Sequence, residues 1–149
     1  MPEINSVAGQ LVGIPVGEVY TAGKGIKIDN VNKVVSVDDE WEDVSDQFTK
    51  VNTNLTWYNF VFYRNKATNL VMGTLGFRPS ANIDWTSIFS TANDALKPKY
   101  SAQVPINTDT AGGGFGTIFQ FATSGTSNFA SLLNGKTYYG SFFYVCKGE

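Results

Sequence analysis

The chain has 149 residues, 42% hydrophobic and 14% aromatic, with 15 glycines, a formal net charge of -2 and no histidine. That length suits one medium domain, or a domain with a small appendage. The missing imidazole excludes Ser-His-Asp and Cys-His catalysis and most zinc sites. Lysines and arginines form no block, which argues against nucleic-acid binding through phosphate neutralisation. No apolar run approaches the ~20 residues that span a bilayer. Aromatic residues favour strands and glycines favour turns, so the composition predicts an all-β fold.

Residues 1–19 hold Gly9, Gly13, Pro15 and Gly17 among valines and isoleucines. They read as an extended arm or linker, with no basic and apolar secretory leader at the N-terminus. Residues 20–37 alternate apolar side chains, Ile26 and Ile28, then Val31, then Val35 and Val37, around Asp29-Asn30. This predicts two short strands and a turn, too small to bury much surface alone. It therefore acts as a connector stacked on something else.

Residues 38–149 read as the head domain. Asp38, Asp39, Glu40, Glu42, Asp43 and Asp46 concentrate the acidic charge. Their spacing does not match a calcium loop, so they read as a solvated connection pinned by Trp41 and Val44. Trp57 to Arg64 alternates as a strand. One face carries Trp57, Asn59, Val61 and Tyr63, the other Tyr58, Phe60, Phe62 and Arg64. A polar tip leads to a return strand from Leu70 to Leu75, and Gly76-Phe77-Arg78-Pro79 is expected to end it.

Ile83 to Ser90 fits either a strand or a short helix capped by Asp84. Ser101 to Asn107 reads as an edge strand, because Pro105 cannot donate to a ladder. Gly112-Gly113-Gly114 lacks the Lys-Ser/Thr of a phosphate cradle and reads as a loop top. Phe115 to Phe121 is a strand with Phe115, Thr117, Phe119 and Phe121 on one face. Asn134-Gly135 signals a turn. Thr137 to Val145 is a last strand, apolar on both faces, as in a sandwich centre or a subunit interface. Cys146, the lone cysteine, forms no intrachain disulfide and reads as a buried hydrophobe. The architecture expected is an antiparallel β-sandwich or jelly-roll-like head behind a small β-unit and an arm.

These segments resemble a known class. Tyr20-Thr21-Ala22-Gly23-Lys24-Gly25-Ile26-Lys27-Ile28 with Val34-Val35-Ser36-Val37 resembles the Y-x-A-G-x-G-I-x-I … V-I-S-V unit of bacteriophage fibre, baseplate and head-fibre proteins. The remainder is similar to their C-terminal head domains. Trp41-Glu42-Asp43-Val44-Ser45 resembles an acidic W-x-D-V-S lead-in, Phe77-Arg78-Pro79 an R-P step, and Tyr138 to Tyr144 a Tyr-rich final strand. The resemblance implies a virion structural protein, made in the host cytoplasm, that assembles as a homotrimer. It implies attachment to other virion proteins through the arm, and contact with a host cell-surface glycan. It implies no enzymatic activity, cofactor or metal.

Aromatic side chains beside amides, carboxylates and guanidinium groups suit saccharides, whose faces carry C–H groups and whose edges carry hydroxyls. Most of the aromatics belong to the core. The outward candidates are Trp85 with Asp84, then Arg64 and Asn65 at the hairpin tip, and Tyr100. The candidate assembly residues are Ile26, Ile28, Val35, Val37, Tyr139 and Phe143. Two other classes stay open: a monomeric carbohydrate-binding module or adhesin unit, and a polysaccharide hydrolase using paired carboxylates such as Asp84 and Asp94.

Overall fold

The computed structural model describes residues 5–7, 10–12, 21–23, 26–37, 41–109 and 115–148. The strands in chain order are β1 (Asn5–Val7), β2 (Gln10–Val12), β3 (Ile26–Asp29), β4 (Val34–Val37), β5 (Trp41–Asp43), β6 (Thr49–Lys50), β7 (Leu55–Asn65), β8 (Leu70–Pro79), β9 (Phe89–Ser90), β10 (Ala102–Thr108), β11 (Phe115–Phe121), β12 (Ser127–Phe129) and β13 (Tyr138–Val145). Short 3₁₀ turns occupy Ser45–Gln47 and Asp94–Leu96. The fold is all-β and antiparallel, with a large curled sheet and a sandwich-like core. The chain divides into two compact units: Met1–Trp41 with Asn65–Thr68, and Glu42–Arg64 with Asn69–Glu149.

In the first unit the strand order is β1-β2-β4-β3. The stretch expected to be an arm thus contributes two strands, β2 pairing with β4 through Leu11 opposite Val35. The expected hairpin is β3 with β4, Ile26 opposite Val37 and Ile28 opposite Val35. Its turn is closed by Asp29, whose carboxylate accepts from the backbone N–H groups of Val31 and Asn32 and from the Asn32 amide. Val31 therefore sits in the turn and is exposed, not part of the alternating face. The side chain of Val37 lies outside the described residues.

The second unit is built on a seven-stranded sheet, β12-β11-β10-β13-β8-β7-β5. Alternation decides its faces. Tyr138, Phe142, Tyr144, Val71, Leu75, Phe77, Ile106, Phe119, Phe121 and Phe62 point to a buried inner face. Residues of the other parity, among them Tyr139, Ser141, Phe143 and Val145, face outward. The inner face is covered by the β6–β9 ribbon and the segments around it, which supply Phe48, Ile88, Phe89 and Leu96. Phe89 meets Phe48, Phe60, Phe62, Phe119 and Phe121 at ring-centroid distances of 5.3–6.2 Å. Ser127 on β12 holds this cover in place. Its buried hydroxyl accepts from the N–H groups of Ile88 and Phe89 and donates to the Phe89 carbonyl at 2.8 Å.

Three local readings change. Strand β8 runs on through Gly76-Phe77-Arg78 to Pro79, because β13 pairs with it there, Tyr138 opposite Phe77 and Tyr139 opposite Gly76. Proline ends the ladder only at its last residue. Strand β10 is an edge over only part of its length: β11 pairs with Ala102 to Asn107, while β13 reaches only Asn107 and Thr108. Pro105 lies in the stretch that β13 leaves unpaired, where its missing N–H costs no ladder bond. The segment from Ile83 forms no helix. Isolated bridges join Ile83 to Leu132 and Thr86 to Phe129, and β9 follows.

Of the acidic lead-in, Val44 is buried as expected, its N–H donating to the Phe62 carbonyl at 2.9 Å, whereas Trp41 stays exposed. The C-terminal end closes over the second 3₁₀ turn. Tyr144 donates its hydroxyl to the Leu96 carbonyl at 2.8 Å, and burial pushes that phenol's pKa up. Cys146 is buried, with its N–H on the Asn69 carbonyl.

Two glycines on β8 separate core packing from surface packing. A Cβ at Gly73 would stand 2.5 Å from the Phe142 ring and 2.9 Å from Phe62, both enclosed. A Cβ at Gly76 would stand 2.8 Å from the Trp57 ring, which is half exposed and can swing away. Urea denaturation is expected to show Gly73→Ala destabilised by about 1–3 kcal/mol, the range of core overpacking. Gly76→Ala is expected to stay within about 0.5 kcal/mol of the parent. Equal losses would contradict this assignment of faces.

Candidate functional site

The five saccharide-binding candidates do not converge. Strand β13 serves as a ruler, its eight residues spanning roughly 25 Å. Asp84 and Trp85 lie near its Tyr138 end, because Ile83 and Thr86 bridge to Leu132 and Phe129, and the Tyr138 hydroxyl oxygen accepts from the Leu133 N–H of that same loop at 2.8 Å. Tyr100 lies at the other end, since the N–H of Lys99 donates to the Val145 carbonyl. It is 69% exposed, with the Lys99 ammonium 5.7 Å from its ring centroid.

Arg64 and Asn65 are both buried rather than outward. Arg64 shares the inward parity of Phe62, and its guanidinium lies 3.8 Å from the Glu42 carboxylate and 3.5 Å from the Asn69 amide oxygen. Asn65 uses its side-chain oxygen to accept from the N–H and hydroxyl of Thr68, both at 3.0 Å, which shapes the hairpin tip. Burial and these bonds explain why neither presents its polar group to solvent.

Trp85 is the outward aromatic expected from the sequence, 65% exposed. Its backbone has φ 35, a conformation that a bulky side chain adopts only under constraint. The constraint is visible on both sides. Ile83 and Leu132 exchange two backbone bonds of 2.8 and 2.7 Å, as do Thr86 and Phe129 at 3.0 and 2.7 Å. Between these bridges Asp84 accepts from the Ser131 hydroxyl at 2.9 Å. Asn52 donates to the Thr86 hydroxyl, and Asn82 accepts from the N–H of Asn134. The bridged loop that carries this exposed indole also carries the Asp84 carboxylate and follows the Asn82 amide. Polar groups of this type hydrogen-bond hydroxyls, while the indole face takes C–H groups.

The same end of the sheet carries a recess on its outer face that single-residue reading did not find. It has a volume of about 380 Å³ and is lined by Trp57, Arg78 and Thr137. Arg78 donates from Nε and Nη2 to the Thr137 hydroxyl oxygen at 3.2 and 2.8 Å. Asp109 accepts from the Thr137 N–H at 3.0 Å. That backbone bond is the main reason the Asp109 carboxyl is held below its ordinary value, followed by the Thr137 side chain, with Lys136 and Arg78 adding. Another recess, of about 550 Å³, lies on the β3–β4 hairpin of the first unit and includes Lys27, Asp29, Asn30 and Asn32.

The assembly candidates also separate. Tyr139 and Phe143 share the outer face of β13 with Val145, 44%, 57% and 44% exposed. Phe143 stands opposite Met72, and Val145 opposite Leu70, on β8. Ile26 and Ile28 belong to the other unit, Ile26 exposed and Ile28 half-buried. Among the described residues no group of three or more acidic or cysteine side chains could hold a metal.

The backbone of residue 85 gives a direct test. Trp85→Gly and Trp85→Ala remove the same aromatic contacts, but only glycine adopts positive φ without penalty. Calorimetric unfolding is expected to find the glycine variant at least as stable as the alanine variant, by up to about 1 kcal/mol. A glycine variant clearly less stable than alanine would show that the backbone there carries no strain.

Asp109 predicts a pH dependence. A carboxyl held low in the folded state adds stability above its ordinary value of 3.8 and loses that stability as the pH falls through its lowered value. In Asp109→Asn the urea midpoint is therefore expected to fall less than in the parent between pH 5 and pH 2. Identical acid limbs in the two proteins would remove the role assigned to Thr137.

Compared with known proteins, the chain matches no family model and no curated sequence.

Proposed function

We propose that this chain is a non-enzymatic virion structural protein of the bacteriophage fibre or baseplate kind, which assembles as a homotrimer and contacts a host-surface saccharide. The observation that carries self-assembly is the apolar row on the outer face of β13, where Tyr139, Phe143 and Val145 stand exposed beside Met72 and Leu70 of β8. A row at the middle of a sheet cannot be covered by a further strand of the same sheet. A symmetric assembly covers such a face by setting it against copies of itself. The phage assignment rests on the resemblance of the Tyr20 to Val37 unit and the Trp41-to-Ser45 lead-in to fibre and baseplate proteins.

The saccharide contact is assigned to the Trp85 loop. A strained, rigidly bridged, outward tryptophan on a loop that also carries Asp84 and Asn82 has the chemistry of a sugar platform. Charge steering plays little part, given a net charge of -2.

Sedimentation equilibrium at micromolar concentration is expected to give three times the 16.2 kDa chain mass. Phe143→Glu is expected to weaken assembly at least tenfold, because it places a carboxylate within an apolar contact. A parent protein that is monomeric at that concentration would instead favour the single-chain carbohydrate-binding module. A glycan array probed with the parent and with Trp85→Ala tests the second half, with loss of signal expected in the variant.

A further inference from the structure

The recess beside Trp57 is used neither by the apolar row nor by the Trp85 loop. Trp57, which lines it, lies against Gly76, the residue of β8 that stands opposite Tyr139. The six-membered ring of Trp57 lies across that glycine so closely that a Cβ there would meet Cη2 at 2.8 Å and Cζ3 at 3.1 Å. The outer edge of the indole thus rests against the Gly76 backbone, and the side chain remains 49% exposed. A flat aromatic ring resting on the sheet and open to solvent offers a stacking surface for a ligand.

Beside the platform, one threonine joins a cation to an anion. The Thr137 hydroxyl oxygen accepts from two nitrogens of Arg78, and the Thr137 backbone N–H and side chain both hold the Asp109 carboxylate. Arg78 and Asp109 carry opposite charges, with Lys136 also near enough to act on Asp109, so a ligand there meets both signs of charge. A carboxylate or phosphate drawn to Arg78 would also meet Asp109. An apolar ligand would strip water from both groups and return no hydrogen bond. A sugar hydroxyl both donates and accepts, so it satisfies the guanidinium and the carboxylate at once. The recess volume of about 380 Å³ lies at the small end of ligand sites, fitting a single ring rather than a long chain.

We propose that Trp57, Arg78, Thr137 and Asp109 form a second saccharide subsite that takes one neutral pyranose, its C–H face on the Trp57 indole and its hydroxyls on Arg78 and Asp109. The subsite rests on the attachment reading only for carbohydrate as the ligand class. It requires neither the trimer nor the Trp85 loop.

The test uses the full chain and the methyl pyranosides of glucose, galactose, mannose and N-acetylglucosamine, followed by saturation-transfer NMR and titration calorimetry. At least one neutral glycoside is expected to bind saturably with a Kd of roughly millimolar order. Trp57→Ala and Thr137→Val are each expected to weaken it at least tenfold. Gly76→Ala is expected to weaken it severalfold by tilting the indole off its seat. Trp57→Phe keeps an aromatic face and is expected to retain part of the affinity, which separates loss of stacking from loss of folding.

The subsite is overturned if none of the four glycosides saturates below about 100 mM. It is overturned if binding survives Trp57→Ala but disappears in Trp85→Ala. Tighter binding of methyl glucuronoside than of methyl glucoside overturns the neutral ligand. A trimeric mass with no glycoside binding would remove this subsite alone, and glycoside binding by a monomer would remove only the assembly reading.

Discussion

The seating of Phe89 against the inner face of the seven-stranded sheet is the contact on which the second unit depends. A curled sheet with one apolar face is not stable until something covers that face, and the cover here is thin: a two-residue ribbon, two short 3₁₀ turns and their connections. Such a cover has too few backbone bonds of its own to hold its shape. The Phe89 ring lodges among phenylalanines from β7 and β11 and from the cover itself, so one side chain binds the two layers. Ser127 adds the polar half of the joint. Its hydroxyl accepts from two buried N–H groups of the cover and donates to the Phe89 carbonyl.

That joint explains why both tryptophan features sit at one end of the sheet. From Phe89 the chain runs back through Ile88 to Thr86, which bridges Phe129 two residues beyond Ser127. The cover is thus pinned along β12 and its continuation, and the loop at residues 84–85 has no freedom to relax the backbone of Trp85. Among the described residues of this unit, no equivalent cover lies on the outer face. There the side chains rest on the sheet itself, as Trp57 does on Gly76. Buried packing constrains one indole through the main chain, and a missing Cβ seats the other.

Alternation was the legible part of this sequence. Where one face of a strand is buried, a period of two is enforced residue by residue, and β11 and β13 follow it. The same parity places Arg64 with Phe62, so its burial was readable, and only its polarity suggested an outward role. Asp29 announced its turn because the bonds that make it span three residues at most. What was illegible depends on distant partners. Strand β8 continues past Leu75 because β13 pairs with Gly76 and Phe77, and Ile83 to Thr86 is shaped by residues 129–132. Trp85 was legible as an outward aromatic, whereas its strain was not. The Trp57 recess brings Arg78 to Thr137, 59 residues later, and no local pattern marks that meeting.

The buried thiol of Cys146 has a consequence of its own. With a single cysteine, the fold closes no covalent cross-link, and the enclosed sulfur offers no accessible thiolate to an oxidant or to another chain. The molecule therefore folds without waiting for oxidation and keeps the same covalent form on either side of a change in redox environment. Its durability rests wholly on packed rings and hydrogen bonds, and passage from a reducing to an oxidising medium leaves those untouched.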